Sequence, residues 1–186
     1  MDLSAWHYFL SLERDFERTI NFVELASANS IAYSQEYAKL LLLIGSEVDI
    51  TAKVLCRDVN TSSNAATIVD YQQDICSAFP GMHTIEIAIS RYQMAIQPWS
   101  SWGDVSPESP GWWKAYNKVK HHRDTDFPKA NQGNVVSALC GLLALHLYLH
   151  RSTDHLQPYP KLLEYSFPET LVVGGSKALP GINPSA

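Results

Sequence analysis

Residues 134–151 constrain this chain more than any other stretch. They read as one long helix that is apolar nearly all round, with Leu139, Leu142, Leu143, Leu145 and Leu147 pointing in every direction. A helix without a polar face belongs in the middle of a bundle or at a subunit interface. One side is lined by Ser137, Cys140, Gly141 and Ala144, small residues that let a neighbour approach closely. That combination predicts a homodimer as well as a bundle. A membrane would also accept such a helix, but the run 135–149 would rise only ~22 Å against a hydrocarbon core of ~30 Å. It also contains Ser137 and His146, so no membrane span is read.

The segments around it supply the rest of a bundle. Residues 3–25 place Phe9, Leu12, Phe16, Ile20 and Val23 on one stripe, opposed by Arg14, Asp15 and Arg18. Residues 35–57 bury Tyr37, Leu41, Ile44, Val48, Ala52 and Leu55, with Ser34 as N-cap and Asp49 spaced to pair with Lys53. A third helix over 64–79 carries Ile68, Tyr71, Ile75 and Phe79, and Pro80 with Gly81 ends it. The period then changes: Ile85, Ile87 and Ile89 alternate with smaller or polar residues, and Met94 and Ile96 follow, which predicts a small hairpin within 84–98. Trp99 and Trp102 are expected to pack against it. The fold class is therefore mainly α, an up-and-down bundle of about five helices with a β-hairpin insertion. One domain over 1–155 is followed by an irregular tail over 156–186, rich in Pro and Gly, with a possible extended piece at 170–173.

The chemistry concentrates in the remaining helix. Ser109 and Pro110 predict its start, with Ser109 capping and Pro110 at the first helical position. Between Glu108 and Asp124 there is no acid, while three Lys, two His and an Arg share the segment with Trp112, Trp113 and Tyr116. At 100° per residue, Trp112, Ala115, Tyr116 and Val119 form an apolar stripe. Arg123 projects into the middle of that stripe, and Lys120 falls between Tyr116 and Trp113. An inward cation requires a carboxylate, because an unpaired buried charge costs several kcal/mol or more. Glu47, on the flank of the second helix's buried face, is the acid best placed to close a polar cluster with Lys120 or Arg123. Asn117 and His121 share a face and are spaced to act on one ligand.

Composition narrows the function classes. The net charge of −5 excludes a generally basic nucleic-acid binder, so any such contact is local. Three cysteines, Cys56, Cys76 and Cys140, lie in apolar helical patterns without metal spacing, which predicts a reduced cytoplasmic protein. The first residues lack the basic start and apolar core of a signal peptide. His146 and His150, with His155 beyond, have the spacing of a zinc pair but no acid at ligand distance, so no metal or other cofactor is predicted. Val172, Val173, Gly174, Gly175, Ser176 and Lys177 lack the spacing of a phosphate loop. A metal-free ribonuclease needs a base for the 2′-hydroxyl and a cation for the phosphate. His121 or His122 with Arg123 supplies those types, and they are the candidate catalytic residues. Asn117, Lys120, His121, Arg123 and Glu47 are the candidate ligand or nucleic-acid contacts.

The order of elements and the stretch Asn117, Lys118, Val119, Lys120, His121, His122, Arg123 resemble the HEPN-like helical bundles of bacteria. Ala130 and Asn131 ahead of the apolar helix add to the likeness, which covers about 3–151 with the hairpin as an insertion. The resemblance implies an antiparallel bundle with a polar motif on a late helix, dimerisation that brings two copies together, and a role in defence or toxin–antitoxin systems. Active members carry an Arg followed, after four to six residues, by a His. Here Arg123 meets Pro128, Lys129 and Ala130 at those distances, Arg91 meets Ile96, Gln97 and Pro98, and Arg151 reaches His155 too early. The expected function is accordingly a non-catalytic interaction or regulatory domain, with a protein partner. A ribonuclease or an RNA- or nucleotide-binding toxin-type domain using the 117–123 patch is the alternative.

Overall fold

A computed structural model of the chain describes residues 3–104, 106, 108–153, 156–165 and 179–182. The protein is mainly α, with five helices and a small antiparallel sheet among those residues: α1 (Ser4–Ile20), α2 (Gln35–Val59), α3 (Ile68–Ala78), α4 (Gly111–Asp126) and α5 (Gln132–Leu149). Helix α5 occupies the centre and packs against α1, α2 and α4, most extensively against α2. Its all-round apolar surface is covered within the single chain: Val135, Val136 and every residue from 138 to 148 are buried. The one described helix long and apolar enough to cross a membrane is thus 78% buried inside the bundle.

Local signals account for most helix ends. The Tyr37 amide donates to Ser34 Oγ at 3.1 Å, which caps α2, and the Asn134 amide donates to Asn131 Oδ1 at 3.0 Å, which caps α5. A reciprocal capping box between Thr67 and Asp70 starts α3 at Ile68, four residues later than expected from periodicity. Those amides also hold the Asp70 carboxyl below its usual range, the Ala66 and Thr67 groups being the donors. Helix α1 ends at Ile20 rather than near residue 25, and Val23 lies beyond it. Within α2, Lys53 Nζ and Asp49 form the expected ion pair at 2.5 Å. The second Asp49 oxygen accepts from Tyr71 Oη at 2.7 Å, which ties α3 to α2; burial, and after it this bond, pushes the Tyr71 hydroxyl up.

The hairpin comprises β1 (Ile87–Ile89) and β2 (Met94–Ile96), joined through a turn in which Gln93 adopts a left-handed conformation, φ 52°. A third strand, β3 (Glu164–Tyr165), comes from the C-terminal segment and gives the order β2-β1-β3. Ile85, Ile87 and Ile89 all point into the core. The same segment is clasped to α1. The amides of Lys161, Leu162 and Leu163 donate to the buried carboxylate of Glu13 at 2.8–2.9 Å, and Trp6 Nε1 donates to the Pro158 carbonyl at 3.0 Å. Further on, Tyr148 Oη donates to the Pro180 carbonyl at 2.6 Å.

The small-residue side of α5 has a neighbour inside the chain. A Cβ added at Gly141 would stand 2.9 Å from Trp112 and 3.4 Å from Trp99, so glycine is what admits the two indoles there. Trp99 Nε1 donates to the Gly141 carbonyl at 3.2 Å, and Trp112 Nε1 donates to the Pro98 carbonyl at 2.8 Å. The small-residue side of α5 is therefore not a subunit contact, and a dimer needs another surface. Ser109 also departs from expectation. Pro110 takes the N-cap place, with no side-chain cap, and its carbonyl accepts from the amides of Trp113 and Lys114.

Candidate functional site at the cationic end of α4

Helix α4 presents its apolar stripe to the bundle. Trp112, Trp113, Ala115, Tyr116 and Val119 are buried, while Lys114, Lys118, Lys120, His121, His122 and Arg123 are exposed. The helix is kinked at His122, whose φ −138° and ψ 43° are not helical. The kink overturns the expectation of an inward Arg123. Projection onto the stripe assumes an unbroken 100° per residue, and the break at His122 resets the phase before Arg123 is reached. Lys120 is also outward. Its Nζ sits over the Tyr116 ring, 5.5 Å from the centroid, so the ammonium rests against the aromatic face at the surface of the bundle.

Glu47 does not join these residues. Gly45 faces α4 so closely that an added Cβ would lie 2.3 Å from the Tyr116 ring. Two residues along a helix correspond to ~200°, so Glu47 points to the opposite side of α2. It is half-buried, burial raises its carboxyl from the usual range, and it has no hydrogen bond or ion pair among the described residues. The expected cluster with Lys120 or Arg123 is therefore absent. A double-mutant cycle of Glu47→Gln with Arg123→Met, and another with Lys120→Met, should give coupling below about 0.5 kcal/mol by denaturant unfolding. A coupling of ~3 kcal/mol, as for a buried pair, would contradict this geometry.

The 117–123 residues do form one surface. Asn117 is half-buried, and its amide donates to the Trp113 carbonyl at 3.1 Å, which directs it to its own helix rather than to a ligand shared with His121. The rings of His121 and His122 are 6.4 Å apart and tilted by 57°. Neither ring, nor the Arg123 guanidinium, has a hydrogen bond or ion pair among the described residues. Beside Arg123 a shallow groove runs to α2, with Lys39 and Leu42 on one wall and the acid Asp124 with Phe127 on the other. The result is a cationic collar open to solvent, without an oriented base.

Other candidates carry less chemistry. His146 and His150 stack with centroids 5.9 Å apart, and His146 also meets Trp6 edge-on at 5.6 Å. Burial pushes the His146 imidazole down to about 3, with the charge of His150 adding to the effect. No group of three or more His, Cys, Asp or Glu positioned to hold a metal occurs among the described residues. His155, the phosphate-loop-like run over 172–177 and the possible extended piece at 170–173 lie outside those residues. The three cysteines are free thiols. Burial raises Cys140, and it raises Cys56 to about 12 and Cys76 to about 11, values unsuited to a thiolate nucleophile.

Two buried polar side chains escaped notice in the sequence. Glu13 is one. The other is Gln132, whose Nε2 donates to the carbonyls of Val23 and Glu24 and to Tyr37 Oη, pinning the loop after α1 against the start of α5. A signal existed for Glu13: it shares the apolar phase of Phe9 and Phe16, where a carboxylate has no reason to be unless donors await it.

No protein-family model, curated protein or solved structure matches this chain. Fold and site together define a class, a mainly α bundle with a small antiparallel sheet that displays a kinked cationic helix end to solvent.

Proposed function

We propose that the protein is a non-catalytic interaction or regulatory module of HEPN type, working in a bacterial defence or stress system from a reducing, cytoplasmic compartment. The collar of Lys120, His121, His122 and Arg123 docks an acidic partner surface. The observation that supports this reading is the openness of the collar. A general base has to be held within hydrogen-bond reach of the proton it takes, whereas both imidazoles here stand in water with no partner to orient them. The three free thiols suit the compartment.

The alternative, a metal-independent ribonuclease or RNA-binding domain, draws on the same collar, because the acid-free cationic stretch from Gly111 to Arg123 suits phosphates. Incubation with tRNA and mRNA in the presence of a chelator separates the two. Wild type, His121→Ala and Arg123→Ala should all leave the RNA intact over hours at micromolar protein. Cleavage by wild type that both substitutions abolish would make the protein a ribonuclease and overturn the non-catalytic reading.

A further inference from the structure

The outer face of α2 carries a stripe that the bundle leaves bare. Leu43 is 45% exposed, Ile50 50% and Val54 37%, and they recur at the spacing of one helix face. Phe22, 88% exposed, flanks Leu43 across the groove between α1 and α2. Large apolar side chains grouped in this way mark an interaction surface, whereas single ones do not. The ends of the stripe are charged: Glu36 and Lys39 at the N-terminal end, Arg57 and Asp58 at the C-terminal end. Ser46, small and exposed, lies near the middle.

We infer that this face binds a second copy of the chain, α2 against α2 in antiparallel orientation about a two-fold axis between Ser46 and Glu47. The register comes from two independent pairings. An axis at that point sets Leu43 opposite Ile50 of the second copy, and the same axis sets Glu36 opposite Arg57. Apolar thus meets apolar and acid meets base in one arrangement, each contact occurring twice, as an isologous interface requires. A parallel pairing would instead set Glu36 on Glu36 and Arg57 on Arg57. Ser46 stands opposite Glu47 of the second copy and leaves room for it, and the stem of Lys39 covers Val54 of the opposite copy. The inference is independent of the α4 collar, since the stripe lies on the side of α2 turned away from Tyr116.

Sedimentation equilibrium of the full chain from 1 to 200 μM (a range spanning ordinary protein affinities) should give a mass twice the 20.8 kDa of one chain at the upper end. Ile50→Asp should raise the dimer dissociation constant by about tenfold or more, with the helical CD spectrum unchanged. Glu36→Arg and Arg57→Glu should each weaken the dimer by about fivefold, and the double swap should restore it. Glu47→Leu removes an acid beside the axis and should tighten it. A single-chain mass at every concentration overturns the inference, whether the stripe stays bare or something else covers it. A dimer indifferent to Ile50→Asp, or not rescued by the double swap, overturns it equally, because the contact then lies elsewhere.

Discussion

Glu13→Ala should destabilise the protein by about 3–5 kcal/mol and free residues 161–163 from α1. The carboxylate is 3% exposed and accepts three main-chain amides, from Lys161 at 2.9 Å, Leu162 at 2.8 Å and Leu163 at 2.9 Å. Burying an ionised carboxylate is costly on its own, and charge-assisted hydrogen bonds of this length are what offset the cost. Alanine relieves that burial but strands three donors, each worth ~1–3 kcal/mol when left unsatisfied. It also uncouples Leu162 and Leu163, both in the core, from their anchor. Glu13→Gln keeps the shape and one accepting oxygen, and should lose roughly half as much. Denaturant unfolding gives the stability, and amide exchange at 161–163 gives the local release. Wild-type protection of those amides in the alanine variant would refute the role assigned to Glu13.

Trp99→Ala should cost a similar amount, on the order of 3–5 kcal/mol. Trp99 is fully buried at the junction of the loop before α4, α4 itself and α5. Its ring lies 4.2 Å from the Trp102 centroid and 5.0 Å from that of Trp112, and its N–H meets the Gly141 carbonyl. Truncation leaves a cavity bounded by two other indoles and a helix backbone, none of which can collapse into it without displacing α4. Trp99→Phe should recover most of the loss while leaving the Gly141 carbonyl unpaired on that side. Thermal unfolding by CD distinguishes these outcomes, and an alanine variant within 1 kcal/mol of wild type, far below the ~3 kcal/mol minimum for such truncations, would show that the site relaxes freely.

The elements visible in the sequence were those governed by short-range periodicity. The stripe of α2, its Ser34 cap and the alternation of Ile85, Ile87 and Ile89 are local patterns, and each is realised. Helix α5 was legible as a central element because nothing but burial tolerates it. Whether its small side faced a second chain or the same one was not legible. That depends on where Trp99 and Trp112 come to rest, a contact between residues about 30–40 apart that no periodicity encodes. The strand β3 is two residues long and takes its identity from pairing with β1, so it has no signal of its own. Arg123 turns outward because one non-helical residue, His122, breaks the constant phase of the helix, and no residue type in the sequence announces such a break. Glu47 followed the same logic to a different failure: its own helix was placed correctly, but the side from which α4 approaches is set by Gly45, a residue with no stripe to contribute.

The clasp on Glu13 also bears on the order in which the chain can be completed as it is made. Helix α1 is synthesised first, yet the donors for its buried acid belong to residues 161–163, nearly the whole length of the chain away. Until those residues have left the ribosome, the stripe of Trp6, Phe9, Leu12 and Phe16 carries an unanswered negative charge in its middle, and α1 cannot settle against α5 without desolvating it. Closing so long a loop is slow compared with forming the helices themselves. The docking of α1 against α5 is therefore complete only once residues 161–163 supply the donors for its buried acid.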